Sequence, residues 1–350
     1  MKLTKLTSLL LIAAILIPSL AGCKKEKVQY KNVSFAYFDT VTTIIGSETS
    51  EEKFAEVSSD ALALLEEYHK LYDIYNEYPG IVNLCTINKL VNGEHQKLTV
   101  DSKIIDMLLY AKEMYEKTNG KMNVAMGSVL SIWHDYRNEG IDEPWNAKLP
   151  PMDILKEASL HTDINNLIID EENSTVYIAD PKMTLDVGAV AKGYAVEMVA
   201  KYLSELGKNN YVLNVGGNIR ATGVKATGER WQAGVENPEG DEDNPYIAYI
   251  ELDNMASVTS GSYQRYYVVG GKRYHHIIDS ETLMPAEGFL SVSLICESSA
   301  DGDCLSTALF CMSLEDGMTL VNSLGGVEAL WVTEDGEIHY SDNYKDYCYR

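Results

Sequence analysis

The chain has no CxxC pair, few positive charges for its size, and no second long apolar run after its first two dozen residues. Each lack excludes something. Beyond Cys23 the cysteines are Cys85, Cys296, Cys304, Cys311 and Cys348. Their spacing fits neither a zinc site nor a dense disulfide framework. Cys304 and Cys311 are seven apart, as on one helix face, so the set reads as buried thiols, with one disulfide as the alternative. Lys and Arg total 29 against 52 Asp and Glu, a net charge of −23. That field excludes non-specific binding to nucleic acid. It also repels an anionic nucleotide, so a cation or a local cluster of donors must mediate if one binds. Phe is scarce, at 5, while Tyr numbers 23, which reads as amphipathic packing. No repeat of 20 to 50 residues is visible. Neither a P-loop nor a dinucleotide GxGxxG is present.

What is there is a folded chain. Hydrophobic residues make up 45% and charged residues 23% of 350, enough for one large domain or two ordinary ones. Lys2 and Lys5 precede "LLLIAAILI", an apolar run too short to span a bilayer as a mature helix. "LAGC" follows at 20 to 23, small residues ending in Cys, and resembles a bacterial lipoprotein signal. Residues 1 to 22 are then a signal peptide. Cys23 becomes a lipid-carrying N-terminus on the extracytoplasmic face of the cell membrane. Residues 23 to 33 read as a polar tether, and 34 to 350 as the folded part.

"SFAYFDTVTTIIG" (34 to 46) reads as an opening strand. Apolar residues at three-to-four spacing predict a helix over 51 to 75, and "YPGIVNLCTINK" reads as a loop after it. A second helix is expected over 101 to 120, with Asp101 as N-cap and Gly120 as its stop. Residues 135 to 152 read as a loop, followed by a small helix over about 151 to 158. In the second half, "STVYIAD" and "MTLDVG" suggest a hairpin-like strand pair. "AVAKGYAVEMVAKYLSELG" is a helix, and strands with turns dominate from Asn210 to Cys296. A helix from Asp303 and a hairpin in "ALWVTEDGEIHY" close the chain. Helices cluster early and strands late: an α+β pattern without a clear linker.

Three stretches carry chemistry. In "SSADGDCLSTALF" (298 to 310), Asp303 and Thr307 lie one turn apart on one helix face. Such oxygens can share a hard cation such as Mg²⁺. Equally, Asp303 can cap the helix while Thr307 bonds back to a carbonyl. "TLDVGAVAKGYAVE" (184 to 197) runs through a glycine turn into a helix N-terminus, where backbone N–H groups and Lys192 suit an anion. "YHHIID" holds His275 and His276, which strand alternation sends to opposite faces.

With "NVGGNIRATG" and "VTSGSYQRYY" these stretches occur in an order that resembles the ApbE family, the FAD:protein FMN transferases, over nearly the whole chain from about residue 34. The resemblance implies a mixed, T-fold-like α+β unit outside the cytoplasm. That unit would bind FAD and Mg²⁺, release AMP, and link FMN to a Thr or Ser of an acceptor protein. Some members instead hydrolyse FAD to FMN and AMP. A non-catalytic flavin-binding lipoprotein is the more distant alternative. By the same resemblance, His276 is the active-site histidine, with Ile277 beside the nucleotide. Asp303, Thr307 and the carbonyl of Ala189 are metal ligands. Asp186 and Lys192 meet the nucleotide. Phe38, Tyr78 and the loop "KMNVAMGSVL", with Val124, Ala125 and Met126, lie on the flavin side. The sequence departs from the family's "HIIDPxTGxP" at Ser280 and Leu283, and Val82 stands where the family has Ser.

Overall fold

The computed structural model describes residues 26–91 and 96–349. The β-branched run near the start forms two strands. β1 (Val28–Tyr37) pairs antiparallel with β2 (Thr40–Glu48) through a two-residue turn. Phe38 and Asp39 make that turn at φ 53° and 50°. This mirror-image turn matches the twist of paired strands and ordinarily takes Asn or Gly. Nothing in "AYFDTV" announces it, so one strand was expected where there are two. Val28 to Asn32, expected within a tether, instead belong to β1 and pair with Glu48 to Ile44.

The further strands are β3 (Leu98–Thr99), β4 (Leu167–Asp170), β5 (Thr175–Ile178), β6 (Tyr211–Val215), β7 (Asn218–Ala221), β8 (Trp231–Glu236) and β9 (Tyr246–Leu252). They continue with β10 (Ala256–Gly261), β11 (Tyr266–Val269), β12 (Lys272–His275), β13 (Phe289–Cys296), β14 (Val327–Thr333) and β15 (Ile338–Tyr340). Eight form one sheet in the order β1-β2-β6-β7-β10-β13-β14-β15, joining both ends of the chain. Its inner strands are buried on both faces, while the edge strands β1 and β15 are exposed to half-buried. In β6, Tyr211, Leu213 and Val215 face the main helical core, while Val212 packs with Trp231, Ile250 and Tyr344 on the other side.

The helices among the described residues are α1 (Glu51–Tyr72), α2 (Leu84–Val91), α3 (Ser102–Lys117), α4 (Gly127–Asp142), α5 (Met152–Ser159), α6 (Ala191–Glu205), α7 (Ser299–Phe310) and α8 (Leu314–Ser323). None is long and apolar enough to cross a membrane. The α+β pattern holds, with helices mostly in the first half. Several expected bounds move. Helix α1 stops at Tyr72 because the Asp73 carboxylate accepts the N–H groups of Tyr75 and Asn76 (2.7 and 2.9 Å). Part of the loop expected after it is α2, where Asn83 Oδ1 accepts the Thr86 N–H at 3.0 Å. Helix α4 runs through the first part of the loop expected at 135 to 152, since the prolines begin only at Pro144. "MTLDVG" pairs with no strand. Leu185 exchanges two hydrogen bonds with the Asn88 side chain (2.8 and 2.9 Å), and the Asp186 N–H donates to the Val124 carbonyl at 2.9 Å.

Helix α7 begins at Ser299, four residues earlier than expected. Its N-cap is Ser298, whose hydroxyl accepts from the N–H groups of Ala300 and Asp301. Asp303 is therefore free of capping duty. A buried carboxylate on α6, Glu197, ties that helix to β7 through an ion pair and to the start of α7 through a hydrogen bond. Glu197 accepts from Arg220 Nε at 2.8 Å and also from the Ser299 N–H at 2.9 Å. The five cysteines after Cys23 are free thiols; four are buried and Cys348 is half-buried. Cys23 lies outside the described residues.

Candidate active site

A cavity of about 400 Å³ opens where the β1–β2 turn, the segment before α4, the turn into α6, β10 and α7 meet. Phe38, Val124, Met126, Asp186, Ala189, Lys192, His276, Ile277, Asp303 and Thr307 all line it. Two expected residues do not. Ala125 is fully buried behind the wall, its N–H donated to Asn123 Oδ1. The Tyr78 hydroxyl donates to Asp73 Oδ2 at 2.8 Å and sits 3.4 Å from His69 Nε2. Tyr78 thus braces the groups that hold the wall. His69 accepts the Phe38 N–H and Asp73 fixes the turn bearing Tyr75. It is Tyr75 that lines the cavity, stacked on His134 with ring centres 5.1 Å apart.

At one end, the Asp303 carboxylate accepts the Gly193 N–H at 2.7 Å and Lys192 Nζ at 3.2 Å. Lys192 also donates to Asn218 Oδ1. Thr307 Oγ1 donates back to the Asp303 carbonyl at 3.2 Å, leaving its oxygen lone pairs available. Asp301, the other acid of the motif, points elsewhere and takes the Tyr110 hydroxyl. The contact between α6 and α7 depends on a missing side chain. A Cβ on Gly193 would lie 2.4 Å from the Ser299 carbonyl oxygen and 2.4 Å from Asp303 Cβ. Gly193→Ala is therefore expected to push α7 away, destabilise the protein by about 1–3 kcal/mol and depress activity further than stability. A denaturation midpoint equal to that of the parent would show that the helices yield without cost.

The two histidines differ in what their nitrogens do. His275 is buried at the end of β12. Its Nε2–H donates to the Ala286 carbonyl at 2.8 Å, its Nδ1 accepts the Ile277 N–H at 3.2 Å, and its ring sits edge-on to Phe310. Both nitrogens are occupied. His276 follows the strand, and its Nδ1–H donates to the Arg265 carbonyl at 3.2 Å. That leaves Nε2 as a free acceptor facing the cavity. Burial first, then the positive charge of Arg265, hold its pKa down to about 3. Near neutral pH the imidazole is therefore neutral. Unfolded, it takes a proton near 6.5; folded, it refuses one until far lower. Stability is expected to fall as pH drops from about 6.5 towards 3, because the unfolded state binds the proton first. Urea midpoints at pH 7 and pH 5 test this. The difference between them should shrink in His276→Asn, and an unchanged difference would contradict the assignment.

Asp186 lies in the turn before α6. Burial raises its pKa, against the Gly188 N–H that donates to Oδ1 at 2.8 Å and the nearby charge of Arg137. Among cations, Lys121, Lys192, Arg137 and Arg265 line the cavity. Of these, Lys121 is paired with Asp279 and Glu281 and Lys192 with Asp303. Sequence reasoning missed Tyr75, His134, Arg137, Arg265 and Lys121 as wall residues. Tyr75 fitted the spacing of a helix that ends before it. Arg137 fell in a stretch read as loop. Arg265 and Lys121 stood inside quoted motifs without being singled out.

The departures from the family motif have local consequences. Leu283 stands at φ 60°, a conformation that favours glycine, yet it is buried against the cluster around Trp133 and accepts the Trp133 indole N–H at 2.9 Å. Ser280 lies in the same turn, where Asp279 accepts the N–H groups of Glu281 and Thr282 and an ion pair from Lys121.

A solvent-facing cavity with a carboxylate–hydroxyl pair, a neutral histidine and cationic side chains on an α+β scaffold is chemically suited to a phosphate-bearing ligand. Comparison narrows it: the model of the ApbE family matches residues 38–331, and the chain belongs to that family. The chain is 32% identical over 263 residues to the FAD:protein FMN transferase of Treponema pallidum, covering 71% of this chain and 70% of that one. It is 28% identical over 341 residues to the enzyme of the same name from Vibrio cholerae, with 96% of each covered. The crystal structure of the ApbE protein from Thermotoga maritima superposes with a TM-score of 0.78 at 28% identity, covering 92% of this chain and all of that one.

Proposed function

We propose that this chain is a FAD:protein FMN transferase that moves FMN from FAD to a Thr or Ser hydroxyl of an acceptor protein and releases AMP. The observation that carries this reading is the pairing, in one cavity of an ApbE-family chain, of a histidine with a free Nε2 and an acid end at Asp303. The donors suit Mg²⁺: a carboxylate at Asp303, a hydroxyl at Thr307 and the carbonyl of Ala189 are all oxygens. Among the described residues no three His, Cys, Asp or Glu gather as a metal cage. One carboxylate plus substrate phosphates is a common way to hold this ion. When bound, Mg²⁺ supplies charge neutralisation at the pyrophosphate.

The chain's own residues do the rest. Phe38, Tyr75, Val124, Met126 and Ile277 offer apolar and aromatic surface to the flavin. Asp186 and Lys192 meet the nucleotide at the N-terminus of α6. The acceptor hydroxyl oxygen bonds to the FMN phosphorus as the bond to the AMP oxygen breaks. His276 Nε2 takes the hydroxyl proton, and AMP leaves with the electron pair. "LAGC" supports lipid attachment at Cys23 and, with it, an enzyme that acts on the extracytoplasmic face of the cell membrane.

Incubation with FAD, Mg²⁺ and an acceptor protein, with and without EDTA, tests the reading. Yellow fluorescence that stays with the denatured acceptor, matched by AMP and abolished by EDTA, is expected. AMP with only free FMN would make the chain a FAD pyrophosphatase. FAD bound without AMP would make it a binding protein.

A further inference from the structure

We propose that Arg137 and Arg265 form a two-pronged oxyanion clamp that holds the phosphate oxygens on the His276 side of the cavity. The proposal rests on the phosphoryl-transfer reading above. Arginine is rare in this chain: Arg137, Arg220, Arg230, Arg265, Arg273 and Arg350 are all there are. Among the described arginines, Arg220 pairs with Glu197 and Arg230 with Glu251, while Arg273 lies over the Tyr266 ring at 4.9 Å. Arg137 and Arg265 form no ion pair with any described carboxylate, and both line the cavity. In a protein of net charge −23, two guanidinium groups without carboxylate partners facing one cavity call for an anion.

Each is placed by a different device. Arg137 is half-buried on α4, and one nitrogen, Nη2, donates to His134 Nδ1 at 2.9 Å. A guanidinium only donates, so Nδ1 accepts and His134 is neutral. The ring is steadied by its stack on Tyr75. This pins one edge of the guanidinium and leaves its other N–H groups unused by any carboxylate. Arg265 is exposed at the mouth, and its backbone carbonyl accepts both the N–H and the Nδ1–H of His276. The residue that sets the proton acceptor's tautomer therefore also carries the second prong.

Lys192 and Asp303 form a separate ion pair between α6 and α7. A planar fork of donors matches phosphate oxygens in a way an ammonium does not. During transfer the bond from the hydroxyl oxygen forms, the bond to AMP breaks, and charge spreads over the non-bridging oxygens. The arginines stay protonated and hold that charge. An arginine placed on a phosphoryl group in this way is worth on the order of 10³–10⁵ in rate.

The test uses the full chain with Arg137→Gln, Arg265→Gln, the matching Lys variants and the double Gln variant. Two quantities are read: FMN transfer under single turnover, and binding of inorganic pyrophosphate by calorimetry in EDTA. Each Gln variant is expected to lose at least about a hundredfold in rate, with a parental far-ultraviolet spectrum. The Lys variants should recover only part of it. Pyrophosphate should bind the double variant at least about tenfold more weakly than the parent. Parental transfer rates in both Gln variants, or unchanged pyrophosphate binding in the double variant, would overturn the clamp. A parent that binds pyrophosphate through these arginines yet transfers no FMN would instead sink the transferase reading and leave the clamp standing.

Discussion

Replacing Asp303 by asparagine is expected to lower FMN transfer by on the order of a thousandfold or more while the protein stays folded. Asparagine keeps the shape that accepts the Gly193 N–H at 2.7 Å, so the seam between α6 and α7 survives. What goes is the negative charge that would hold a divalent cation and that now attracts Lys192. The loss should appear chiefly as a raised requirement for Mg²⁺, visible in a titration of initial rate against the ion. Thr307→Val should shift the same titration less, because a hydroxyl is a weaker ligand than a carboxylate. If Asp303→Asn keeps parental activity at limiting Mg²⁺, the metal does not sit here.

His276→Ala and His275→Ala should fail in opposite ways. Loss of a general base is worth on the order of 10²–10⁴ in rate, so His276→Ala should fall by that much in transfer while still binding FAD. His275→Ala leaves the Ala286 carbonyl and the Ile277 N–H without their partners and removes the ring beside Phe310. A cost of roughly 2–4 kcal/mol is expected, read as a lowered denaturation midpoint. The surviving folded fraction should transfer FMN at close to the parental rate. Transfer rate, FAD affinity and midpoint, taken side by side on both variants, decide the matter. An equal loss of rate in the two would mean that the free Nε2 of His276 is not the proton acceptor.

Much of this was legible in the sequence where a pattern is local. Asp101 capping α3, the helix closing near Gly207 and the i, i+4 pair on α7 are all set by neighbours a turn apart. What depended on distant partners was not. The "TLDVG" stretch looks like a strand, but its hydrogen-bond partners are the side chain of Asn88 and the backbone of Val124, far away in the chain. Phe38 and Asp39 hold a turn that their residue types do not advertise. Tyr78 and Tyr75 are three residues apart, and only the Asp73 turn decides which ring faces the cavity. The arginines of the wall carried no motif of their own. Their meaning comes from the carboxylates they do not meet.

The order of the eight-stranded sheet bears on how the enzyme comes into being. Strand β2 pairs with β6, so Ile45 must wait for Val212, and β13, β14 and β15 complete the array near the end of the chain. Pairings this far apart in sequence are slow to form. Most of the proposed flavin surface, from Phe38 to Met126, is encoded in the first half, while Asp303 and Thr307 arrive on α7, close to the C-terminus. A chain made only as far as Met126 lacks Asp303 and Thr307 as well as the strands that pair with its own. The cavity is complete only when almost the whole polypeptide is present, since its lining runs from Phe38 to Thr307.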